Sequence, residues 1–211
     1  MSVLDGPLAF VDIETTGGSH FTSRVLEVGV VRVEQNRVVA TYRSLINPNE
    51  DIPAFITGLT GITNEDVVNA PSFAAISDEL AEILDGAVFV AHNVRFDWLF
   101  LKMEFERLGA NFRPQLLCTV RLSRRLFPQF RTHKLADLIE RHQLNAPARH
   151  RAYDDAHCLW QFYQMCLAEF DLDTIDEAIK SQLTVQSVPS QLDPGQVDAL
   201  PDGPGVYVFE D

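Results

Sequence analysis

Hydrophobic and polar positions alternate along the chain in blocks that predict an α/β fold. Apolar, β-rich runs predict strands at about 8–14, 25–33 and 37–46, with the last two joined as a hairpin at "EQN". Two later runs, "AVFVAHN" and "LLCTV", predict short buried strands. Three early strands followed by alternating helices and strands predict a mixed five-stranded sheet flanked by helices.

Helical patterns account for most of the remaining chain up to Phe170. The segments "NEDVVNA", "SFAAISDELAEIL" and "FDWLFLKMEFERLG" have helical character, and Gly109 is placed to end the third. Further helices are predicted near 119–127, near 134–142 and from about 151 to 170. We therefore predict one domain over residues 1–170.

The character of the sequence changes after Phe170. Residues 171–200 are acidic and rich in Gln, Ser and Pro, with one short helical piece, "DTIDEAIKSQL". This composition predicts a linker. Residues 201–211 follow it as a separate short tail.

Composition indicates a globular protein with no membrane partner. Of the 211 residues, 46% are hydrophobic and 22% are charged. No apolar run reaches the roughly 18 residues of a membrane span, and the N-terminal segment lacks the basic region of a secretory signal. Three cysteines without a CxxC motif predict a reduced, cytoplasmic protein without a zinc site.

The distribution of charge is more informative than its total. A net charge of −13 argues at first against a nucleic-acid partner. Residues 95–151, however, hold 12 Lys and Arg against 5 Asp and Glu, which leaves 5 against 25 elsewhere. The segment "RLSRRLFPQFRTHK" (121–134) has five basic residues and no acidic one. Two interpretations stay open for it, a solvated surface and a strip that contacts phosphates.

Carboxylates occupy positions where a buried core is expected. Asp12 and Glu14 alternate with Val11 and Ile13 at the end of an apolar strand, so both acids lie on one face. They fit either an exposed strand end or a pair of ligands to a divalent metal, which would relieve their repulsion. Asp97 lies just inside a mostly apolar helix, where it fits either an active site or a partner for the helix dipole.

The stretch "HRAYDDAH" (150–157) holds two adjacent aspartates at the start of the last predicted helix. At about 100° per residue, the apolar side chains of this helix form one stripe. Asp155 falls at the border of the stripe, where a cleft-lining residue belongs, whereas Asp154 falls on the solvent side and Tyr153 on the opposite border. His150 can therefore join Asp155 only from a loop or cap before the helix.

Taken together, these residues are more specific than any one of them. Oxygen ligands from separate elements fit two hard divalent cations, and such a pair can stabilise the attacking and leaving oxygens of a phosphoryl transfer. A histidine beside them can accept a proton at neutral pH. The set comprises Asp12, Glu14, Asp97, Asp155 and His150.

Three motifs carry a resemblance to a known family. "FVDIETTG", "AHNVRFD" and "HRAYDDA" resemble, in order and separation, the motifs of the DEDDh 3′–5′ exonucleases, and most of all the proofreading epsilon subunits of bacterial DNA polymerase III. The resemblance covers residues 7–170. It implies a ribonuclease-H-like fold, two divalent ions (Mg²⁺ or Mn²⁺), and hydrolysis of the 3′-terminal phosphodiester of DNA with release of nucleoside 5′-monophosphates. The implied partners are a single-stranded or frayed DNA 3′ end and a DNA polymerase.

The resemblance also implies a role for each site residue. It makes Asp12, Glu14, Asp97 and Asp155 the metal-binding acids and His150 the general base. Asp12 would bridge both ions, with Glu14 and Asp155 on the ion that activates water. Asp97 would act on the second ion, in part through water.

Contacts to the terminal nucleotide are implied in the same way. "LTGIT" (59–63) resembles the segment that in this family wedges against the 3′-terminal bases. For Phe96, a stacking surface and a core aromatic both stay open. The implied contact residues are Thr15, Thr16, Leu59, Thr60, Gly61, Ile62, His92, Asn93 and Phe96.

The C-terminal segment carries a second resemblance. "LPDGPGVYVFED" resembles the opening of GIY-YIG nuclease domains, such as those of excision-repair nucleases, with "GVY" as the first tripeptide. We therefore expect residues 201–211 to be the start of a truncated second domain. A fused endonuclease would favour DNA repair over replication proofreading.

Three functions stay open on the sequence alone. The first is a DNA 3′–5′ exonuclease in proofreading or repair, and the second is an RNA-trimming exonuclease with the same motifs. The third is a catalytically silent module that docks a polymerase or another nuclease. The presence of all four acids and the histidine favours an active enzyme.

Overall fold

A five-stranded sheet organises the computed structural model, which describes residues 6–147 and 150–183. The strand order is β3-β2-β1-β4-β5, with β1–β2 and β2–β3 antiparallel and β1–β4 and β4–β5 parallel. The predicted mixed five-stranded sheet is confirmed. Its strands are β1 (Leu8–Thr15), β2 (Val25–Glu34), β3 (Arg37–Leu45), β4 (Val88–Ala91) and β5 (Leu116–Cys118).

Helices cover both faces of the sheet. Gly109, with φ of 76°, follows the C-cap residue Leu108 of the fourth helix and helps to end it, as its position in the sequence predicted. The helices of the described residues are α1 (Ala54–Thr60), α2 (Asn64–Val67), α3 (Phe73–Leu84), α4 (Arg95–Arg107), α5 (Thr119–Leu126), α6 (Leu135–His142), α7 (Ala152–Glu169) and α8 (Leu172–Leu183).

Side-chain alternation in β1 divides the interior into two cores. Leu8 and Phe10 belong to the core that contains residues of α5 to α8, whereas Ala9, Val11 and Ile13 belong to the core formed with α3 and α4. Period-two geometry then directs Asp12 and Glu14 toward the face that α7 covers. The strand therefore brings two acids to one end of a buried helix.

A glycine in β2 allows α7 to approach the sheet closely. A β-carbon on Gly29 would lie 2.3 Å from the backbone nitrogen of Tyr153 and 2.4 Å from the carbonyl carbon of Ala152. Such contacts are too short for any other residue without movement of the helix backbone. The first turn of α7 therefore rests directly on β2, and this contact sets where the residues around that turn lie.

The structure differs from the sequence prediction in two segments. Helix α1 was not predicted, and it forms within the stretch that includes Leu59. The short helical piece predicted within the linker over 171–200 forms α8, but its Ile175, Ala178 and Ile179 are buried in the core with α7, so this helix belongs to the domain. The acidic composition of 171–200 led us to place this helix in a linker rather than in the domain.

Two remaining expectations concern the rest of the chain. The rest of the predicted linker (184–200) and the GIY-YIG-like tail at 201–211 lie outside the described residues. Among the described helices, none is both long enough and apolar enough to cross a membrane.

Candidate active site

The acids of β1 lie at the carboxyl edge of the parallel part of the sheet. Glu14 pairs across the antiparallel ladder with Glu27 of β2, and Asp12 pairs with Gly29. Both β1 acids are only partly accessible to solvent. Two carboxylates on one strand face, with a third opposite, form a concentration of negative charge at the edge of the core.

His150 and Asp155 reach this edge from the start of α7. The helix begins at Ala152 with Arg151 as its N-cap, so His150 precedes it, in the position that the helical wheel required. His150 adopts a left-handed backbone conformation with φ of 58°. Its backbone N–H donates a hydrogen bond of 3.2 Å to Oδ2 of Asp155, which is 4% exposed.

These elements bring three potential ligands together. One donor atom each from Glu14, His150 and Asp155 lies within 4.8 Å of the others. Asp12 belongs to the same cluster electrostatically, since Asp97, Asp155 and Glu14 all act on its carboxylate. Asp97 joins from the first turn of α4, where it is 4% exposed. The structure thus collects all five predicted catalytic residues at one sheet edge.

Burial and mutual repulsion change the ionisation of two of these acids. Loss of solvation raises the pKa of Asp97 to about 8, against hydrogen bonds from its own backbone and that of Ile13 that lower it. Loss of solvation is also the largest cause that raises the pKa of Asp12 well above its ordinary value, followed by the charges of Asp97, Asp155 and Glu14. The cluster therefore holds more negative charge than it can stabilise alone.

The donor set fits hard divalent cations. Carboxylate oxygens are the ligands that Mg²⁺ and Mn²⁺ prefer, and a cation compensates both the loss of solvation and the repulsion that raise the pKa values of Asp12 and Asp97. The imidazole of His150 lies among the same oxygen atoms and can act as a base or as a ligand.

We expect the stability of the metal-free protein to fall as pH rises from about 4 to 8. The pKa of an unfolded aspartate is near 3.9, and that of Asp97 in the fold is about 8, so the folded state holds the extra proton across this window. Losing that proton leaves an unsolvated charge, and a bound divalent cation removes the penalty. Thermal unfolding in EDTA and in Mn²⁺ measures both effects.

The matched variants are Asp97→Asn and Asp154→Asn. At pH 8 in EDTA, Asp97→Asn should raise the melting temperature by at least about 2–4 °C, the shift that about 1 kcal/mol gives in a domain of this size. It should also reduce stabilisation by Mn²⁺, while Asp154→Asn does neither. An Asp97→Asn melting curve with the pH slope of the unmodified protein would contradict the assignment.

A buried glutamate that the sequence did not suggest holds the start of α7. Glu27 is 4% exposed and accepts hydrogen bonds of 2.8–3.2 Å from the guanidinium of Arg151 and one of 3.1 Å from the backbone N–H of Ala152. The N-cap side chain makes no capping bond of its own, so a carboxylate from β2 satisfies a free N–H of the helix terminus. Only the alternation of β2 pointed to Glu27, as one acid within an apolar strand.

A second buried ion pair fixes α4 and therefore Asp97. Arg24, just before β2, donates hydrogen bonds of 2.7 and 2.9 Å to the carboxylate of Glu104. Arg107 lies 3.0 Å from the same carboxylate, which is 2% exposed. Because both arginines contact it, Glu104 ties the middle of α4 to the chain that enters β2.

The predicted nucleotide contacts divide into exposed and engaged residues. Thr15 and Thr16 are buried; the Thr15 hydroxyl donates to the carbonyl of Gly17 and that of Thr16 to Glu50, at 2.8 and 2.6 Å. Thr60 is also buried, and its hydroxyl donates to the carbonyl of Ile56. Ile62 lies in the small core formed with α1 and α2. These side chains support the site rather than project from it.

Helix α1 presents an exposed apolar pair instead. Leu59 is 54% exposed and Phe55 is 69% exposed. They are four positions apart, so they share one side of the helix. Gly61 ends α1 with φ of 73° and is itself exposed. Phe55 was not predicted because the helix that pairs it with Leu59 was not predicted.

The "HN" pair and the aromatic of the second motif have different surroundings. His92 Nδ1 lies 2.9 Å from the hydroxyl of Thr119, which links the ends of β4 and β5. Asn93 is exposed with φ of 70°. The ring of Phe96 packs at the border of the core, with its centre 4.9 Å from that of Phe100. Of the two roles left open for Phe96, the structure supports that of a core aromatic.

Asp154 and Tyr153 take the positions that the helical wheel predicted. Tyr153 packs against His157 and lies 6.0 Å below the guanidinium of Arg43 on β3, away from the acids of β1. Asp154 is partly exposed and acts on Arg151 rather than on the cluster. Of the two adjacent aspartates, only Asp155 faces the site.

A model of the exonuclease family, of the RNase T type, matches residues 9–163. The match covers more than half of the chain and includes every one of the five clustered residues. The chain therefore belongs to this exonuclease family, and the resemblance to the DEDDh 3′–5′ exonucleases is confirmed.

Its relatives include much longer proteins. The 3′–5′ exonuclease DinG of Bacillus subtilis (strain 168) is 42% identical over 148 residues, or 69% of this chain and 16% of DinG. DNA polymerase III PolC-type of Caldanaerobacter subterraneus subsp. tengcongensis is 34% identical over 185 residues, or 88% of this chain and 13% of that polymerase. The chain thus spans less than a fifth of the length of either relative.

Solved structures share the fold at low identity. Exonuclease I has a TM-score of 0.73 at 16% identity and covers 82% of this chain and 43% of its own. Exonuclease X in complex with 5′ overhanging duplex DNA has a TM-score of 0.62 at 22% identity, and the match covers 82% of this chain and 99% of exonuclease X. The nuclease domain of 3′hExo, a DEDDh family member bound to rAMP, has a TM-score of 0.66 at 18% identity, and the match covers 78% of this chain and 92% of that domain. The ribonuclease-H-like architecture implied by the sequence is confirmed.

Proposed function

We propose that this chain is a metal-dependent 3′–5′ exonuclease domain that hydrolyses the 3′-terminal phosphodiester of DNA and releases nucleoside 5′-monophosphates. The observation that carries the proposal is the convergence of Glu14, His150 and Asp155 within 4.8 Å, with Asp12 and Asp97 acting on the same cluster. Four acids and a histidine in one partly buried site match the chemistry of a phosphoryl transfer to water.

Two divalent ions, Mg²⁺ or Mn²⁺, would be held by Asp12, Glu14, Asp97 and Asp155. When bound, such ions supply electrostatic stabilisation of the charge on the attacking and leaving oxygens. Asp12 is the residue on which Asp97, Asp155 and Glu14 all act, so it would be a central member of this ligand set.

His150 would act as the general base. Its imidazole accepts a proton from the water that attacks the terminal phosphorus, as a new P–O bond forms and the bond to the 3′ oxygen breaks. The leaving 3′ oxygen takes a proton from solvent, so the products are a nucleoside 5′-monophosphate and a shortened strand. The backbone bond from His150 to Asp155 holds the base beside a proposed ligand.

The exposed side of α1 would receive the terminal base. Leu59 and Phe55 offer an apolar surface on which any base can stack, because every base has an apolar face. Asn93, exposed beside the start of α4, would contact the nucleotide by hydrogen bonding. These contacts read no particular sequence, as a trimming enzyme requires.

The physiological setting follows from the relatives and the tail. Similarity to a PolC-type polymerase supports proofreading beside a DNA polymerase. The GIY-YIG-like segment supports repair with a fused endonuclease domain instead. RNA trimming is a second candidate, favoured by the likeness to a nuclease domain that binds rAMP.

Digestion of end-labelled strands tests the proposal. With Mg²⁺ or Mn²⁺, single-stranded DNA labelled at the 5′ end should give a ladder of shortening products, and 3′ label should leave at once as mononucleotide. EDTA should stop both, and RNA of the same sequence should be cut more slowly. No metal-dependent shortening from the 3′ end would refute the enzyme, and faster cutting of RNA would replace the substrate.

A further inference from the structure

The basic segment at 121–134 forms a defined surface next to the active site. Arg121, Arg124 and Arg125 of α5 are exposed, and their spacing places them on one side of the helix. The opposite side of α5, with Leu122, Ser123 and Leu126, is buried. We name the side formed by these three arginines the α5 basic face; Arg131, on the segment that follows α5, is exposed as well.

Hydrogen bonds hold Arg131 close to α5. The imidazole of His133 bonds the hydroxyl of Ser123 at 2.7 Å and the carbonyl of Phe130 at 3.1 Å. The segment that carries Arg131 is thereby tied to the buried side of α5. The helix that carries the α5 basic face is therefore held on its buried side by the segment that contains Arg131.

The register of the parallel strands places this unit beside the acids. In the parallel register, Phe10 of β1 is opposite Val90 of β4, and Ala91 of β4 is opposite Cys118 of β5. Continuing the same register toward the carboxyl ends of the strands puts Asp12, His92 and Thr119 side by side across the sheet. Two strand spacings, roughly 10 Å, separate the ends of this row. Since Thr119 is the first residue of α5, the basic face starts within about 10–20 Å of Asp12, given about 1.5 Å of rise per helical residue.

The basic face also lies on the correct side of the sheet. Leu122 and Leu126 pack in the same core as Phe10 and α7, which is the side toward which Asp12 points. A strand with its 3′ end at the acid cluster can therefore cross β4 and β5 and reach α5 without passing around the sheet. A DNA strand that left the acid cluster toward the other face of the sheet, which α3 and α4 cover, would have to pass around the edge of the sheet to reach α5.

Charge identifies the occupant. Within the described residues, no acidic side chain forms an ion pair with Arg121, Arg124, Arg125 or Arg131. The chain as a whole carries a net charge of −13, so a polyanion is repelled by most of its surface. Three unneutralised arginines on one face, with Arg131 exposed on the segment that follows, fit a phosphate backbone.

We infer that the α5 basic face binds the phosphates of the single-stranded DNA that lies 5′ of the terminal nucleotide. The inference rests on the proposed function, because it concerns the strand whose 3′ end is hydrolysed. The face would add affinity for longer strands and would leave the chemistry at the terminal phosphodiester unchanged.

Two substrates separate strand binding from chemistry. One is the p-nitrophenyl ester of thymidine 5′-monophosphate, which has no upstream phosphates. The other is single-stranded DNA of about 20 nucleotides, longer than the roughly 4–16 that single-strand binding sites commonly cover. The variants are Arg124→Glu, Arg125→Glu and both together, and Arg37→Glu is the matched control on the opposite sheet edge, where Arg37 is also exposed.

The double variant should raise KM for the long strand roughly tenfold. The logarithm of its binding constant should also fall less steeply with the logarithm of salt concentration, with a slope smaller in magnitude by about 1.4, or about 0.7 for each lost phosphate contact. Its kcat, and its rate on the ester, should equal those of the unmodified protein. Arg37→Glu should change none of these values.

Two outcomes would overturn the inference while the proposed function stands. In the first, the α5 variants match Arg37→Glu on the long strand, which would leave the face to an acidic protein partner or to solvent. In the second, the ester and the long strand lose rate equally, which would show that the variants disturb the site itself. If the unmodified protein cleaves neither substrate, the proposed function fails, and the inference fails with it.

Discussion

Asp155→Ala is expected to abolish hydrolysis of DNA 3′ ends, whereas Asp154→Ala leaves it nearly intact. Asp155 is buried, accepts the backbone N–H of His150 and lies within 4.8 Å of Glu14 as a potential ligand. Loss of a ligand that stabilises the transition state by about 4 kcal/mol lowers the rate by about 10³. Asp12→Ala should have an effect at least as large, because Asp12 is the acid on which the others act.

Adjacent positions make this comparison a strict control. Asp154 and Asp155 share the first turn of α7 and differ mainly in the direction in which they point. Initial rates on 5′-labelled single-stranded DNA, with saturating Mn²⁺, measure both variants. Full activity of Asp155→Ala together with loss of activity in Asp154→Ala would contradict the orientation of α7 that both the sequence and the structure give.

Glu27→Ala is expected to lower kcat about 100-fold although Glu27 is not itself one of the proposed ligands. Its carboxylate anchors Arg151 and the N–H of Ala152, the two residues that follow His150. Without it the start of α7 can shift, and a displacement of about 1 Å in a catalytic group costs about 10² in rate. The lost hydrogen bonds should also lower stability by about 1–3 kcal/mol, since the guanidinium of Arg151 is half-exposed and regains water.

Glu34→Ala is the matched control for Glu27→Ala. Glu34 belongs to the same strand and forms an ion pair of 2.9 Å with Arg32, but at the end of β2 far from the acids. Glu27→Gln should recover part of kcat, because the amide oxygen can still accept the Ala152 N–H. Rates are measured on the thymidine ester at a temperature where every variant is folded. Equal kcat for Glu27→Ala and Glu34→Ala would show that Glu27 serves stability alone.

The sequence predicted the parts of the site that depend on the side-chain periodicity of a single strand or helix. The alternation of β1 placed Asp12 and Glu14 on one face, and the helical stripe of α7 separated Asp155 from Asp154. Both follow from geometry within a single element. The position of His150 before the helix also followed, since no helical residue at that point can face Asp155.

Contacts between distant elements could not be predicted in this way. Glu27 lies 124 positions from Arg151, and its role depends on the packing of α7 on β2. Gly29 looks like an ordinary strand glycine until the backbone of Tyr153 is placed against it. The helical character of α8 was predicted, but its place in the domain was not, because the burial of Ile175 and Ile179 depends on a tertiary partner.

The anchoring of α7 on β2 has a consequence for how catalytic capacity arises during folding. The acids of β1 and the pair His150 and Asp155 come from opposite ends of the domain, so no local fragment contains the complete site. Closing so long a loop is entropically costly and is repaid only when α7 docks onto the finished sheet. The same docking buries the core and gathers the acids. If the proposed site is the catalytic one, a nascent or partly unfolded chain should lack nuclease activity, and activity should appear only when the fold is complete.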